Sequence, residues 1–293
     1  MYDIEYLHEA TSVEDAVQVL ARDSQARVIA GGTDLLVKNR DGKFPAAHLV
    51  SIHELHDELD GVTLADDGTV EIGPITWFHH VTTSPVIQAT VPTLGDACDT
   101  PGGPQLRVSG TIGGNVCNAA TSADTASTLY AYGALLDVRS VRGERTIPIE
   151  EWYAGPGKST LAQDELLVRI RIPKDHYEGF TGHYFKYGKR RALEIATLGC
   201  CCLVKLSADK TLVDDIRLAF GVAGPTPLRA LKAEEAVRGL PLAKAVEAIG
   251  ALAQADTHPR DSWRASKAFR LQLIGEMSRR SLVAAARKGG ATL

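Results

Sequence analysis

Two glycine-containing segments and one lysine-bearing segment hold the residues with which this chain could do chemistry. Residues 28–35 read Val-Ile-Ala-Gly-Gly-Thr-Asp-Leu, a short apolar run followed by two glycines, a hydroxyl and a carboxylate. Glycine backbone can turn sharply and approach a ligand closely, and consecutive N–H groups in such a turn can form a concave anion site. The alternative is a tight strand-to-helix turn in which Asp34 caps the next segment.

The second segment is denser in glycine. Five glycines fall within residues 102–114, and Asn115 follows directly. So much glycine is costly in chain entropy unless the backbone must come close to something. The Asn115 amide can donate to a phosphate or a flavin carbonyl, and Asp124 can accept from a ribose or ribityl hydroxyl; the alternative is a connection in which Asp124 caps a helix. Two glycine segments together favour a diphosphate ligand.

The third segment reads His-Tyr-Phe-Lys-Tyr over residues 183–187, followed by Lys189, Arg190 and Arg191. Lys186 lies on an aromatic-rich strand, where its charge could stabilise negative charge on a reduced flavin. The basic run 189–191 could serve a pyridine nucleotide or a partner subunit, and a solvated basic turn is the alternative.

Other catalytic and metal-binding patterns are excluded. Gly157-Lys158-Ser159 lacks the first glycine of a P-loop, because Trp152 stands there. His53 and His56 are three residues apart, whereas a zincin needs four. There is no Gly-x-Ser-x-Gly elbow. The five cysteines have no spacing for an iron–sulfur cluster or a structural zinc, so we expect no metal in this chain.

Composition describes a globular protein. The chain has 293 residues, 44% of them hydrophobic, and 32 basic against 36 acidic side chains give a net charge of −4. This mild negative charge argues against nucleic-acid binding, and no apolar run approaches a membrane span. The first ten residues do not resemble a signal peptide, and the cysteine usage indicates no disulfide scaffold. We therefore expect a cytoplasmic protein.

The elements that position these segments follow from periodicity. Thr11 and Glu14 suggest a capping box for a first helix, and residues 62–65 and 69–72 suggest a hairpin. Strands are predicted at 27–30, 48–52, 135–140 and 166–172, with helices at 76–81, 93–98 and 126–132. Beyond a boundary near residue 176, a meander of three strands (183–186, 198–206, 211–221) precedes helices at 231–238, 242–253 and 265–287. Strands before helices predict an α+β fold.

Three motifs carry a family resemblance. They are Ala30-Gly-Gly-Thr-Asp-Leu-Leu36, Gly103-Pro-Gln-Leu-Arg107 and Gly110-Thr-Ile-Gly-Gly-Asn115. With them, essentially the whole chain resembles the FAD-binding medium subunit of the molybdenum hydroxylases, the xanthine dehydrogenase and carbon monoxide dehydrogenase family. Residues 118–124 and 262–267 are most similar to the separate FAD subunit of bacterial xanthine dehydrogenases.

The resemblance implies a fold and a site. Residues 1–175 would form a vanillyl-oxidase-like FAD-binding domain of two α+β subdomains, and residues 176–293 a small α+β domain like that of the carbon monoxide dehydrogenase flavoprotein. FAD would bind noncovalently, with Lys186 near the isoalloxazine as a tuning residue. The remaining implied cofactor-binding residues are Arg27, Val28, Ile29, Ala30, Gly31, Gly32, Thr33, Asp34, Leu35, Gly102, Thr111, Gly114, Asn115, Asn118, Asp124, Leu166 and Leu167.

The resemblance also implies partners. A large subunit would carry molybdopterin and hydroxylate a purine, and a small subunit would carry two [2Fe–2S] clusters, in a heterotrimer or a dimer of heterotrimers. Electrons would pass through FAD to NAD⁺. Open alternatives are a related hydroxylase acting on nicotinate, an aldehyde, carbon monoxide or an aromatic acyl-CoA; a stand-alone flavin reductase on the same fold; and a nucleotide-binding module without turnover.

Overall fold

The structure, a computed structural model, describes residues 2–293. The strands are β1 (Ile4–Glu9), β2 (Arg27–Ile29), β3 (Ala47–Ser51), β4 (Val62–Leu64), β5 (Val70–Ile72), β6 (Leu135–Ser140), β7 (Gly143–Pro148), β8 (Tyr153–Gly155), β9 (Lys158–Ser159), β10 (Leu166–Ile172), β11 (Thr181–Tyr187), β12 (Leu198–Leu206), β13 (Val213–Gly221) and β14 (Leu228–Arg229).

Helices separate and follow these strands. They are α1 (Val13–Arg22), α2 (Leu35–Arg40), α3 (His56–Leu59), α4 (Phe78–Thr83), α5 (Pro85–Thr90), α6 (Pro92–Cys98), α7 (Pro104–Arg107), α8 (Ile112–Cys117), α9 (Ala126–Ala131), α10 (Ile149–Trp152), α11 (Leu231–Val237), α12 (Leu242–Ala255) and α13 (Lys267–Lys288). The predicted α+β class is confirmed.

The N-terminal sheet is parallel and has the order β1-β3-β2. Helix α1 packs on it because apolar residues at helical spacing, among them Val13, Ala16 and Val17, form one buried face. The cap of α1 is Ser12, whose side chain accepts from the Asp15 N–H. The predicted capping box on Thr11 is therefore wrong by one residue, since the helix begins at Val13.

The second sheet has the order β4-β5-β10-β6-β7, and its pairings are antiparallel. Helices α5 and α8 contact this sheet, whereas α6 and α9 contact the strands β11–β13, and all of them enclose one core with fully buried side chains such as Leu136 and Trp152. No regular element is predicted for residues 101–118, and the structure has the two short helices α7 and α8 there.

The C-terminal sheet has the order β11-β12-β13-β14. The sequence predicted a meander of three strands, and the short β14 adds a fourth by pairing with β13. Because successive strand residues face opposite sides, Cys201 lies in the core shared with the N-terminal half, while Cys200 and Cys202 lie in the core under α11–α13. One sheet thus has both faces covered and joins the two halves.

No helix within residues 2–293 combines the length and the apolar character needed to cross a membrane.

Candidate functional site

The two glycine segments touch each other. A Cβ built on Gly31 would lie 1.7 Å from the carbonyl oxygen of Ser109. No side chain fits there, so the turn after β2 and the turn before α8 form one continuous backbone surface. Close backbone approach therefore explains glycine at position 31.

Beside this contact lies a cavity of about 810 Å³, a size typical of small-molecule and cofactor sites. It is lined by all the predicted cofactor-binding residues except Lys186. These are Arg27, Val28, Ile29, Ala30, Gly31, Gly32, Thr33, Asp34, Leu35, Gly102, Thr111, Gly114, Asn115, Asn118, Asp124, Leu166 and Leu167. Residues far apart in sequence thus share one concave wall.

The first segment presents free N–H groups to the cavity. Within the described chain, the N–H groups of residues 31–35 donate no hydrogen bond to a protein acceptor. Gly32 has a φ of +69°, which side chains rarely adopt and glycine tolerates. Asp34 makes no side-chain cap bond to α2. The geometry therefore supports the anion-site hypothesis over the capping alternative.

The second segment differs from the sequence expectation. The N–H groups of residues 112–115 already have acceptors, which are the carbonyls of Thr76, Pro74 and Thr111 and the hydroxyl of Thr111. Residues 112–115 therefore do not form a second anion nest, since Pro74 and Thr76 occupy two of the four donors and Thr111 occupies the other two.

What the second segment contributes is shape. A Cβ on Gly113 would lie 2.4 Å from the Pro74 Cβ, so Gly113 lets α8 pack against that segment. A Cβ on Gly114 would meet only the Thr111 hydroxyl within 4 Å, at 2.9 Å. Position 114 therefore opens toward the cavity, and a larger side chain there would take up space meant for a ligand.

Two asparagine amides point their donors at the same space. The Asn115 oxygen accepts from the Thr125 hydroxyl at 2.6 Å, and the Asn118 oxygen accepts from the Lys38 ammonium. Each oxygen is thus engaged, and within residues 2–293 neither amide NH₂ has a protein acceptor. Both residues can donate to a ligand.

Lys38 is a site residue that the sequence analysis missed. Its ammonium lies 2.6 Å from the Asp34 carboxylate and also binds Asn118, so it joins the first segment to the end of α8. The spacing of four residues between Asp34 and Lys38, which places both on one helix face, was an available signal.

Lys186 is the one predicted cofactor-binding residue that does not line the cavity in the described structure. Its ammonium lies 2.9 Å from the Asp124 carboxylate and 3.0 Å from the Thr100 carbonyl oxygen. The Tyr184 hydroxyl also donates to Asp124. Burial raises the pKa of Asp124, and the Lys186 ammonium opposes that rise. Lys186 therefore reaches the cavity through Asp124, which does line it.

The cavity wall is completed by residues with no sequence signal. Residues 193–195, in the segment after β11, line it, and the Leu193 N–H donates to the Gly102 carbonyl at 3.0 Å. At another part of the wall the Arg27 guanidinium lies 4.1 Å from the centre of the Phe44 ring. Cys117 also lines the wall, and burial raises its pKa to about 12, which keeps the thiol neutral.

Comparison with known proteins identifies the family. The family model described as "FAD binding domain in molybdopterin dehydrogenase" matches residues 2–175. The chain is an FAD-binding medium subunit of the molybdenum hydroxylase family. A second model, described as "CO dehydrogenase flavoprotein C-terminal domain", matches residues 183–285 of this flavoprotein subunit.

Relatives of this flavoprotein subunit match along its length. The xanthine dehydrogenase FAD-binding subunit of Escherichia coli O157:H7 is 41% identical, with 100% of both chains covered. The carbon monoxide dehydrogenase medium chain of Hydrogenophaga pseudoflava is 30% identical over 95% of this chain and 96% of its own. A solved carbon monoxide dehydrogenase from H. pseudoflava has a TM-score of 0.90 at 31% identity, covering 97% of each chain.

The flavoprotein subunit shows no metal site of its own in the part of the chain that the structure describes. No group of three or more His, Cys, Asp or Glu residues there is arranged to hold a metal ion. Buried thiols at Cys98 and Cys200 have raised pKa values because burial disfavours the thiolate.

Proposed function

We propose that this subunit carries electrons in an enzyme of the xanthine dehydrogenase type, from the [2Fe–2S] clusters of a partner subunit to NAD⁺. The observation that supports this is the 41% identity, over both full lengths, to the Escherichia coli O157:H7 subunit. A second candidate is a related hydroxylase, favoured by 30% identity to the medium chain from H. pseudoflava and to the nicotinate dehydrogenase FAD-subunit of Eubacterium barkeri.

The cavity fits FAD. A dinucleotide needs a diphosphate site and an elongated space, and the structure offers a row of free N–H groups at 31–35 beside a cavity of about 810 Å³. Gly114 leaves room where any other residue would project a side chain. Bound FAD would supply the redox chemistry, since two electrons and one proton taken up by the flavin can leave it as a hydride.

The residues of this chain bind FAD and hold it in position. The N–H groups of residues 31–35 and the Thr33 hydroxyl hold the diphosphate, and the Asn115 and Asn118 amides donate from the facing wall. Leu166 and Leu167 pack on the apolar rings. The other predicted binding residues (Arg27, Val28, Ile29, Ala30, Asp34, Gly102 and Thr111) complete the wall.

Asp124 provides an acceptor for a sugar or ribityl hydroxyl. Lys186, behind it, pairs with that carboxylate, opposes the rise in its pKa that burial causes and fixes its direction, so Lys186 is a positioning residue here. A fixed carboxylate costs no reorganisation when a ligand hydroxyl arrives, which is how preorganised polar groups improve binding.

The remaining assignments are part of the same proposal. Residues 1–175 form the FAD-binding domain and residues 176–293 the C-terminal domain. A molybdopterin-binding large subunit and a [2Fe–2S] small subunit complete a heterotrimer or a dimer of heterotrimers. Neither a membrane nor a nucleic acid takes part, and the enzyme works in the cytoplasm.

The binding site is tested at Gly114. Wild-type protein should purify yellow and release FAD on acid treatment. Gly114→Leu should lose at least nine-tenths of its flavin because the leucine fills the cavity. The apo protein should still unfold cooperatively, since position 114 faces open space. Ala243→Leu, at an exposed position of α12, is the control for adding a leucine side chain away from the cavity. Unchanged flavin content in Gly114→Leu contradicts the site.

The substrate and acceptor are tested on the assembled complex. With xanthine and NAD⁺, NADH should form and be measured by its absorbance. Turnover with nicotinate or carbon monoxide in place of xanthine would favour the second candidate. Turnover with a dye or oxygen as the electron acceptor, but not with NAD⁺, would contradict the proposed hydride transfer to NAD⁺.

A further inference from the structure

One part of the cavity wall is formed where the residue before β2 meets the segment that leads into β10. Ala26, Gln163, Glu165 and Leu166 line the cavity there. Three of them, Ala26, Glu165 and Leu166, are buried, whereas Gln163 is exposed. A ligand group in this part of the cavity therefore meets closed walls and one accessible amide side chain.

A backbone carbonyl fixes the orientation of the Gln163 amide. The amide nitrogen Nε2 donates to the Ala26 carbonyl oxygen at 2.7 Å. Because a carbonyl can only accept, the nitrogen has to face it and the amide oxygen Oε1 has to face away. Within the part of the chain that the structure describes, no protein donor binds this oxygen. The Gln163 oxygen is thus an acceptor that a ligand can use.

Ion pairs on the two residues after Gln163 hold its backbone in place. Asp164 pairs with Arg142, and Glu165 pairs with Arg145 at 2.7 Å. The segment is therefore ordered before a ligand arrives, which lowers the entropy cost of a contact with Gln163.

Gln163 lies too far from the anion site to serve the diphosphate. The free N–H groups that fit the diphosphate begin at Gly31. Ala26, which holds the Gln163 amide, precedes Gly31 by five residues, and the extended strand β2 lies between them. An extended chain advances about 3.3 Å per residue, so the two places are on the order of 15 Å apart. This separation suits a nucleoside whose base reaches Gln163.

The two rings of FAD need different surroundings. The isoalloxazine exchanges electrons and has to stay reachable from outside, whereas adenine has no redox role. The part of the cavity wall that contains Leu193 and Ile195 is open, since these side chains are 65% and 49% exposed. The walls beside Gln163 are buried, so this part of the cavity suits the adenine.

We propose that the Gln163 amide oxygen accepts a hydrogen bond from the 6-amino group of the FAD adenine and selects adenine over 6-oxopurines; this rests on the proposed function. The 6-amino group of adenine donates, whereas a 6-oxo group accepts. A 6-oxopurine would therefore place two acceptors against each other. The amide cannot turn over to avoid this, because its oxygen would then face the Ala26 carbonyl. The bond to Ala26 thus makes Gln163 a specificity-determining residue.

The test is a competition between two flavins that differ only in the base. The purified chain, freed of flavin, is equilibrated with an equimolar excess of FAD and its hypoxanthine analogue. The bound flavins are then released with acid and quantified by chromatography. Wild type should retain about ten times as much FAD as analogue, because one hydrogen bond is replaced by a repulsion. Gln163→Met has a side chain of similar length without an amide, and its ratio should fall to about one.

Gln25→Met is the matched control. Gln25 is exposed, adjoins Ala26 in the chain and does not line the cavity, so this variant should keep the wild-type ratio. Both flavins compete within one sample, so a loss of folded protein cancels from the ratio. The wild-type ratio also tests the proposal without any substitution.

The outcomes distinguish this inference from the proposed function. A wild-type ratio near one, with both flavins bound, overturns the role of Gln163 and leaves the FAD site standing. A wild-type ratio that persists in Gln163→Met also overturns that role, because the selection then comes from another part of the wall. A wild-type chain that retains neither flavin overturns the proposed function and this inference together.

Discussion

The glycines around the cavity differ in what surrounds them. Gly31 is needed because the Ser109 carbonyl lies where its Cβ would be, and Gly113 because Pro74 does. Gly114 faces open space apart from the Thr111 hydroxyl. Replacing the first two disturbs backbone packing and so stability, whereas replacing the third blocks the cavity. Residues of one type in one motif therefore have separable roles.

The contacts that Lys38 makes with Asp34 and Asn118 lead to a prediction about FAD affinity. Lys38→Met should weaken FAD binding about tenfold, because the variant loses the charge-assisted bonds that fix Asp34 and Asn118. The dissociation constant is measured by fluorescence titration of the apo protein with FAD.

The control is Lys174→Met. Lys174 forms a comparable pair with Glu178, at 3.2 Å, on an exposed surface, and pairs of this kind contribute little. Equal FAD affinity in the two variants would show that Lys38 has no part in organising the site.

Strand β10 is placed by an ion pair at its beginning. Glu165 is 5% exposed and lies 2.7 Å from the Arg145 guanidinium of β7, and it also accepts from the Ala162 N–H. The next two residues, Leu166 and Leu167, line the cavity. The ion pair thus fixes the start of the strand that supplies the apolar wall.

The Glu165 pair gives a prediction about pH. Its hydrogen bond with Arg145 holds the pKa of Glu165 below its usual range. A carboxylate with a lowered pKa stabilises the fold above its unfolded pKa of about 4.3, and this contribution is lost as pH falls toward the folded value. Glu165→Gln should therefore lower Tm by about 2 °C at pH 7 and progressively less below pH 4.5, since Arg145 is half exposed and its pair is screened.

Scanning calorimetry from pH 7 to pH 3.5 measures this difference. Glu178→Gln, in an exposed pair, should track wild type throughout. If the Tm difference between Glu165→Gln and wild type stays constant or grows as the pH falls, the assignment is contradicted. A neutral hydrogen bond or lost packing would not give a difference that becomes smaller in acid.

At the scale of the whole molecule, the C-terminal sheet supports the cavity wall through a contact with Asp124, which lines the cavity. Lys186 on β11 reaches Asp124 and the Thr100 carbonyl in the FAD-binding half, and both side chains of the pair are nearly buried, at 12% and 10% exposure. The core shared across this sheet includes Tyr184 and Cys201. The two halves therefore stabilise each other through both a packed core and an ion pair.

Breaking that pair should cost stability of the whole chain. Lys186→Met leaves Asp124 buried without its cation, so the pKa of Asp124, already raised by burial, should rise further. The expected loss is about 3–5 kcal/mol in the free energy of unfolding, measured with urea. The double variant Lys186→Met/Asp124→Asn should recover more than half of that loss because no charge stays buried. A double variant as unstable as the single one would mean that packing, not charge, is what Lys186 supplies.

Sequence patterns predicted the elements whose causes are local. Strand β12 runs from Leu198 to Leu206 as predicted, and the hairpin of β4 and β5 forms around Gly68. Alternation and turn residues encode such structure within a few positions. The motifs around Gly31 and Gly114 likewise sufficed to name the family and its cofactor.

Tertiary structure decided everything that depends on which distant group lies beside a residue. The N–H groups at 112–115 are taken by acceptors that include Pro74 and Thr76, whereas those at 31–35 stay free. Lys186 lies behind Asp124, and the Ala26 carbonyl orients the Gln163 amide. Periodicity specifies which residues face the core, but the partner of a donor, a cation or an amide is set by packing between segments far apart in the chain.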